Sequence, residues 1–274
     1  MKILKRFFFG LLIGLGKVIP GVSGSLIAIS LGVYEQAIYC FCNFFHDIKK
    51  NFIYLCPLFL GIILAIIFSS KIVINLLNNY YVLTIFLFLG LICGSIHDIS
   101  KNTNKKYTYL TILSFILVLF ISSNILQFHS LVNNSSYRFL FYIFIGFIDA
   151  MCMIIPGLSG TAILMMLGCY EMLMTVLSNL TNIKQIIDNF SILLPFGIGL
   201  SIGVLVFTRL VKKLLERYYI KTYNIIFGFI LSSIFYMFKS TLKYRLSILE
   251  LFLSYSFFLI GYVVIKKINR SNDG

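Results

Sequence analysis

Residues 19–35, IPGVSGSLIAISLGVYE, return at residues 155–171 as IPGLSGTAILMMLGCYE, with ten of seventeen positions identical at an offset of 136. Downstream the register continues at an offset of 138: Pro57 meets Pro195, Gly61 meets Gly199, Lys71 meets Arg209, Leu76 and Leu77 meet Leu214 and Leu215, and Gly90 meets Gly228. Self-similarity held at a fixed spacing means two copies of one structural unit. The 274 residues thus divide into repeats at 1–136 and 137–274.

The setting of these repeats is a membrane. Hydrophobic residues make up 59% of the chain and charged residues 12%, with a mean hydropathy of +0.97, whereas a soluble domain carries about 25% charged residues to face water. Apolar runs such as 110–128, 139–155, 191–207 and 248–265 approach the roughly 20 residues that a spanning helix needs. The first run, 7–19, follows a basic N-terminus in the manner of a signal peptide. No small-residue cleavage site follows it and the apolar character resumes after Pro20 and Gly21, so it reads as part of the mature protein.

The net charge of +14 does not indicate nucleic acid. Its lysines and arginines fall singly or in pairs between apolar runs, where they act as topology signals. The six cysteines contain no CxxC pair and read as small buried hydrophobes. His46, His97 and His129 are isolated, without ligand spacing. No metal and no cofactor is expected.

Each repeat holds one apolar element interrupted by PGxSG, then three uninterrupted segments: 53–68, 82–96 and 110–128 in the first, 191–207, 223–238 and 248–265 in the second. If the interrupted elements are re-entrant hairpins, each repeat crosses the membrane an odd number of times and the second lies upside down relative to the first. If they span, the repeats are parallel. Short loops on the cytoplasmic side carry the excess of Lys and Arg, and this count favours the hairpins: 16 inside against 6 outside, compared with 13 and 9 for the spanning arrangement. The expectation is an all-α polytopic membrane protein of the bacterial cytoplasmic membrane with both termini cytoplasmic. It has two inverted-topology repeats, each a re-entrant helical hairpin broken at PGxSG plus three transmembrane helices. One outer loop, carrying Lys239, Lys243 and Arg245, runs against the charge rule.

At each tip, proline lacks an N–H and glycine tolerates positive φ, so the helix stops and its backbone is freed. Irregular backbone survives at membrane depth only where protein buries it or it lines a cavity. Helices restarting after Gly24 and Gly160 aim unsatisfied N–H groups at the tip, an arrangement suited to an anion. Ser23, Ser25, Ser159 and Thr161 add hydroxyl donors. Pro20, Gly21, Ser23, Gly24, Ser25, Pro156, Gly157, Ser159, Gly160 and Thr161 are therefore the candidate binding residues. The plainer alternative is a pair of kinked helices packing through small residues.

Ionisable residues near membrane segments are functional suspects. Lys17, three residues before Pro20, is placed to counter an anion at the first tip or to snorkel to the interface. Asp149, seven residues before Pro156, reads as a carrier of a coupling proton, a partner for Lys17, or a polar kink. Glu35 and Glu171 close the two GxYE motifs and read as proton relays or as interfacial anchors beside Tyr34 and Tyr170. Lys71 and Arg209 match across the repeat and are suited to greet a phosphate headgroup; Arg209 also suits flanking a helix on the cytoplasmic side.

The two motifs in their setting, GLGKVIPGVSGSLIAISLGVYE and GFIDAMCMIIPGLSGTAILMMLGCYE, together with GLICGSI at 90–96, resemble the PopT-type polyprenyl-phosphate transporters over essentially the full length. The resemblance implies return of undecaprenyl phosphate from the outer to the inner leaflet, with the lipid phosphate as partner. Two departures stand out: the family's first motif usually continues Gly-Gly-Thr where this chain has Gly24, Ser25 and Leu26, and the position of Asp149 is usually small and apolar.

Two rivals are weighed. A carrier of another small anion would suit the same tips. An undecaprenyl-pyrophosphate phosphatase-like enzyme needs charge neutralisation and a general acid or base, yet PGVSG and PGLSG contain no arginine and no Glu-xxx-Glu occurs in the chain. The protein is read as a transporter and not an enzyme.

Overall fold

In hydrocarbon a backbone must satisfy its own N–H and C=O groups, and helices do so within one segment. The computed structural model describes residues 3–20, 22–132, 137–155 and 159–270, and among these it is helical throughout, without strands. The first half comprises α1 (Ile3–Val18), α2 (Gly24–Ser30), α3 (Tyr34–Cys42), α4 (Ile48–Asn79), α5 (Tyr81–Ser100) and α6 (Thr108–Val132). The second comprises α7 (Arg138–Ile154), α8 (Gly160–Met166), α9 (Tyr170–Ser178), the short α10 (Ile183–Asp188), α11 (Phe190–Thr241) and α12 (Ile248–Arg270). Among the described residues four helices are long and apolar enough to cross a membrane: α4, the limbs Phe190–Val211 and Glu216–Thr241 of α11, and Ile248–Lys267 of α12. A fifth joins them if α8 and α9, bent by 118°, count as one broken span. The chain is a multi-pass membrane protein.

The duplication is written into backbone detail. Gly32 and Gly168, at φ 67° and 68°, turn α2 into α3 and α8 into α9 in the left-handed conformation that glycine adopts without steric cost. Around them the N–H of Val33 donates to Ala28 O and that of Gly32 to Ile29 O, as Cys169 does to Leu164 O and Gly168 to Met165 O, the Schellman pattern that closes a helix end. Farther on, α4 breaks at Tyr80 (φ −139°, ψ 49°) and α11 at the equivalent Tyr218 (φ −132°, ψ 39°). Thr84 donates to Leu76 O and Tyr80 O, and Thr222 to Leu214 O and Tyr218 O.

Glycines set the helix pairs. A methyl on Gly10 would lie 2.1 Å from Leu58 O, and one on Gly61 2.2 Å from Phe7 O, so α1 and α4 touch backbone to backbone. Gly146 and Gly199 do the same for α7 and α11, at 2.2 Å from Phe196 O and 2.0 Å from Ile143 O. Close approach through small residues is how helices gain dispersion energy where the solvent is itself apolar. In both pairs the contact positions rise together along the two helices, Gly10 by Leu58 and Gly14 by Ile62, Gly146 by Phe196 and Gly203 by Ala150 and Phe147, so α1 runs parallel to α4 and α7 parallel to α11.

A parallel neighbour is possible only if the intervening chain comes back. Segments α2 and α3 return it to the level where α1 began: Arg6 Nη1 donates to Ile53 O (3.0 Å), and Asn51 Nδ2 to Asn43 O (2.8 Å). Helix α5 pairs in parallel with α12, Gly90 at Phe258 and Gly94 at Ile265. Against its own counterpart, the second limb of α11, it runs antiparallel: Tyr81 meets Ser240 while Phe86 meets Phe238.

Two glycines of α11 test this packing. Replacing Gly199 by Leu drives a side chain into the Ile143 backbone and is expected to destabilise the protein by roughly 1–3 kcal/mol. Gly197→Leu, where nothing lies within 4 Å, should stay within about 0.5 kcal/mol of the parent. Thermal unfolding in detergent reads both.

Candidate functional site

The two broken elements meet each other. Tyr34 OH donates to Ile154 O at 2.7 Å, and Tyr170 OH donates to Val18 O at 2.7 Å. Tyr34 and Tyr170 are repeat equivalents, and so are Val18 and Ile154, each two residues before its motif proline. Residue i of one half thus contacts j of the other and j contacts i, the signature of a two-fold relation. Each tyrosine donates to the carbonyl of the last residue of the opposite helix, where a helix runs out of its own donors. Tyr34 is half-buried and Tyr170 buried, so neither serves as an interfacial anchor.

Hydroxyls line both tips. Ser23 Oγ and Ser25 Oγ are 2.8 Å apart, and Ser25 Oγ donates to Ile155 O across the halves at 3.3 Å. At the second tip Ser159 Oγ and Thr161 Oγ1 are 3.0 Å apart, and Ser159 Oγ accepts from Ala162 N at 3.4 Å. Ser23, Ser25, Ser159 and Thr161 are all buried, as is Pro20. Gly21, Pro156 and Gly157 lie outside the described residues.

Between the tips lies an ion pair. Lys17 Nζ reaches Asp149 Oδ1 at 2.5 Å, with the side chains 15% and 3% exposed. It joins α1 to α7 at the start of α8: a methyl on Gly160 would sit 2.6 Å from that carboxylate oxygen and 3.0 Å from the ammonium. Gly160 therefore makes room for the pair. A buried ion pair between halves is costly to desolvate and more costly still to break.

Lys17, Ser23, Gly24, Ser25, Gly160 and Thr161 line a cavity of about 440 Å³, which Ser159 and Asp149 do not line. Away from the tips the walls turn apolar, with Phe41, Phe44, Phe45 and Phe59 from α3, the following link and α4, and Leu200, Val204 and Leu205 from α11. Phe41 packs edge-on to Phe59 at 5.5 Å, and Phe45 is 81% exposed, so the apolar trough runs out to the protein surface. A pocket of this form holds a small polar group at its base and an apolar chain along its wall.

The two tips do not contribute equally. Every residue of α8 is buried, whereas Gly24 and Ile27 of α2 are half-buried and Ile29 is exposed. The cavity is thus open along the first hairpin and closed along the second.

Of the remaining candidates, Arg209 is exposed and outside the cavity, although its neighbour Thr208 lines it. Glu35 and Glu171 are exposed and do not line it either. Lys71 Nζ donates to Thr181 Oγ1 at 3.0 Å. Cys40, Cys152 and Cys169 are buried and Cys42, Cys56 and Cys93 partly so, all as free thiols. No group of His, Cys, Asp or Glu able to hold a metal occurs among the described residues.

The ion pair makes a double-mutant test. Lys17→Met leaves the Asp149 carboxylate buried without its partner and is expected to cost about 3–5 kcal/mol. Adding Asp149→Leu should recover most of that loss. Thermal unfolding of the single and double variants measures it.

Comparison with known proteins gives the family of the chain. The family model described as undecaprenyl phosphate translocase-like matches residues 13–249. A polyprenyl-phosphate transporter of Staphylococcus aureus is 28% identical over 273 residues, covering 95% of this chain and 94% of its own. A second, from Vibrio cholerae, is 27% identical over 266 residues, covering 90% of this chain and 82% of its own. No solved structure matches. With its family match running from within α1 into α12, the chain belongs to the undecaprenyl phosphate translocase-like family.

Proposed function

We propose that this protein moves a polyprenyl phosphate, undecaprenyl phosphate in the first instance, from the outer to the inner leaflet of a bacterial cytoplasmic membrane. One observation carries the reading: a single cavity joins both hydroxyl-lined tips and the Lys17 ammonium to an aromatic trough that reaches the surface. The phosphate sits at the tips, where Ser23, Ser25 and Thr161 offer hydroxyl donors, Ser159 supports Thr161 from behind, and Lys17 offers charge. The prenyl chain lies along Phe41, Phe44, Phe45 and Phe59. A carrier for a small free anion would have no use for that apolar wall.

The halves are inverted repeats, each a re-entrant hairpin plus three crossings, with both termini in the cytoplasm. Three features support this topology. Helix α1 runs parallel to α4 although three short turns away in sequence, α5 runs antiparallel to its repeat counterpart, and the loop charges divide 16 to 6 in this arrangement. The open trough then faces the cytoplasmic end, where the basic residues collect. Asp149 backs Lys17 and holds its ammonium beside the tips, so no unpaired charge stands in the site while it is empty.

Replacing Ser23 and Ser159 together by alanine is expected to abolish outer-to-inner movement of undecaprenyl phosphate in proteoliposomes. The double variant should stay folded, since only Ser159 makes a cap hydrogen bond, and such a bond costs about 1 kcal/mol to lose. Unchanged transport in this variant would remove the tips from the site.

A further inference from the structure

The second hairpin has a polar chamber of its own at the opposite end of the molecule. A cavity of about 590 Å³ is lined by Asn78, Asn79, Tyr80, Tyr81, Lys243 and Arg245, among others. It adjoins a smaller one of about 180 Å³ that shares Tyr81, Glu171, Ser240 and Lys243 and runs inward to Gly168 and Tyr170, at the corner between α8 and α9. Tyr170 is the residue that donates to Val18 O, one position from Lys17. The chamber therefore leads from the surface toward the closed tip.

Its walls are built. Tyr244 stacks on Tyr81 at 5.1 Å, and Tyr81 OH bonds Ser240 Oγ at 3.3 Å, so the loop after α11 is pinned to the start of α5. Of its two carboxylates, Glu250 already accepts from the backbone N–H and the hydroxyl of Ser247, both at 2.9 Å, the reciprocal box that starts α12. The other, Glu171, stands in the first turn of α9, where the helix dipole favours a negative charge. No carboxylate lies within ion-pair distance of Lys243 or Arg245 among the described residues.

The other end of the molecule also carries a basic and aromatic corner. Lys243 and Tyr81 are the repeat equivalents of Lys105 and Tyr219. There Lys221 lies over the rings of Tyr107 and Tyr218 at 5.6 and 5.5 Å. A basic and aromatic corner on the cytoplasmic side follows the charge rule, but one on the outer side opposes it. In the proposed topology Lys243 and Arg245 thus stand on the side where the charge rule expects few basic residues.

We propose that this outer chamber is a second anion site, a vestibule that receives a phosphate monoester through Lys243 and Arg245 before it enters the tips. This rests on the topology and substrate class proposed above. Basic groups at a membrane surface attract anionic headgroups, each contributing measurably to affinity.

The test is transport of polyprenyl phosphate in proteoliposomes by the full chain and three variants. K243Q/R245Q should raise the half-saturating lipid concentration about tenfold for movement starting at the loop's own face, with the opposite direction unchanged. The charge-matched K184Q/K239Q should stay within about twofold of the parent, and K243R/R245K should restore it. If K243Q/R245Q behaves like K184Q/K239Q, the vestibule is overturned. Inorganic phosphate at millimolar concentration separates the sources. Competition in the parent that K243Q/R245Q loses supports a pocket that reads the free phosphate group, whereas no competition alongside the tenfold shift supports one that takes the lipid headgroup alone. A parent that moves no polyprenyl phosphate overturns the lipid reading itself, and with it the vestibule, and shows as a loss in every variant alike.

Discussion

A helix that stops inside a membrane leaves carbonyls with no water to accept from, and everything else in this molecule accommodates that fact. The two broken elements solve it for one another: Tyr34 serves the end of α7 and Tyr170 the end of α1. Because each donor is tethered to its own half by a glycine corner at Gly32 or Gly168, the halves are held in one relative position. The same constraint brings the hydroxyls of both tips and the Lys17–Asp149 pair into one place. The proposed binding site is thus a by-product of contacts that join the ends of broken helices.

Within that frame, duplicated sequence has taken on unequal tasks. The repeat equivalent of Lys17 is Met153, and that of Asp149 is Ile13. Both charges therefore sit on one side of the pseudo-symmetric centre, and the cavity opens on that side, along α2, while α8 is sealed. Ten positions in seventeen are identical between the tips, and the two charges that distinguish them lie just outside the shared stretch. A transporter needs such inequality at any instant, since a site open along both hairpins would be a leak.

What the sequence made legible is what local chemistry decides. Proline, glycine and the offset of the repeats located the breaks, the two units and the hydroxyl candidates, and Lys17 with Asp149 stood out because charges are so few. Long-range geometry was not legible. Tyr34 and Tyr170 read as interface anchors because a tyrosine at the end of an apolar run is usually one, and only contacts spanning 120 and 152 residues reveal their use. Arg209, chosen by repeat matching, sits one position past Thr208, and a single residue turns a helical side chain about 100° away from the cavity. Glu35 and Glu171 were drawn in by the motif they close, yet their place in the first turn of α3 and α9 points them away from the tips. The phenylalanine trough escaped notice because 28 phenylalanines in one chain carry no pattern until they are folded.

The reciprocal tyrosines also bear on how such a chain is made. A ribosome that has finished only the first half has delivered the end of α1 into the bilayer, yet the hydroxyl that quiets Val18 O is still unsynthesised, 152 residues downstream. Until Tyr170 arrives, the end of α1 lacks this contact from the second half. Completion of the tip is therefore a late event, and it marks the moment at which two separately inserted halves become one protein.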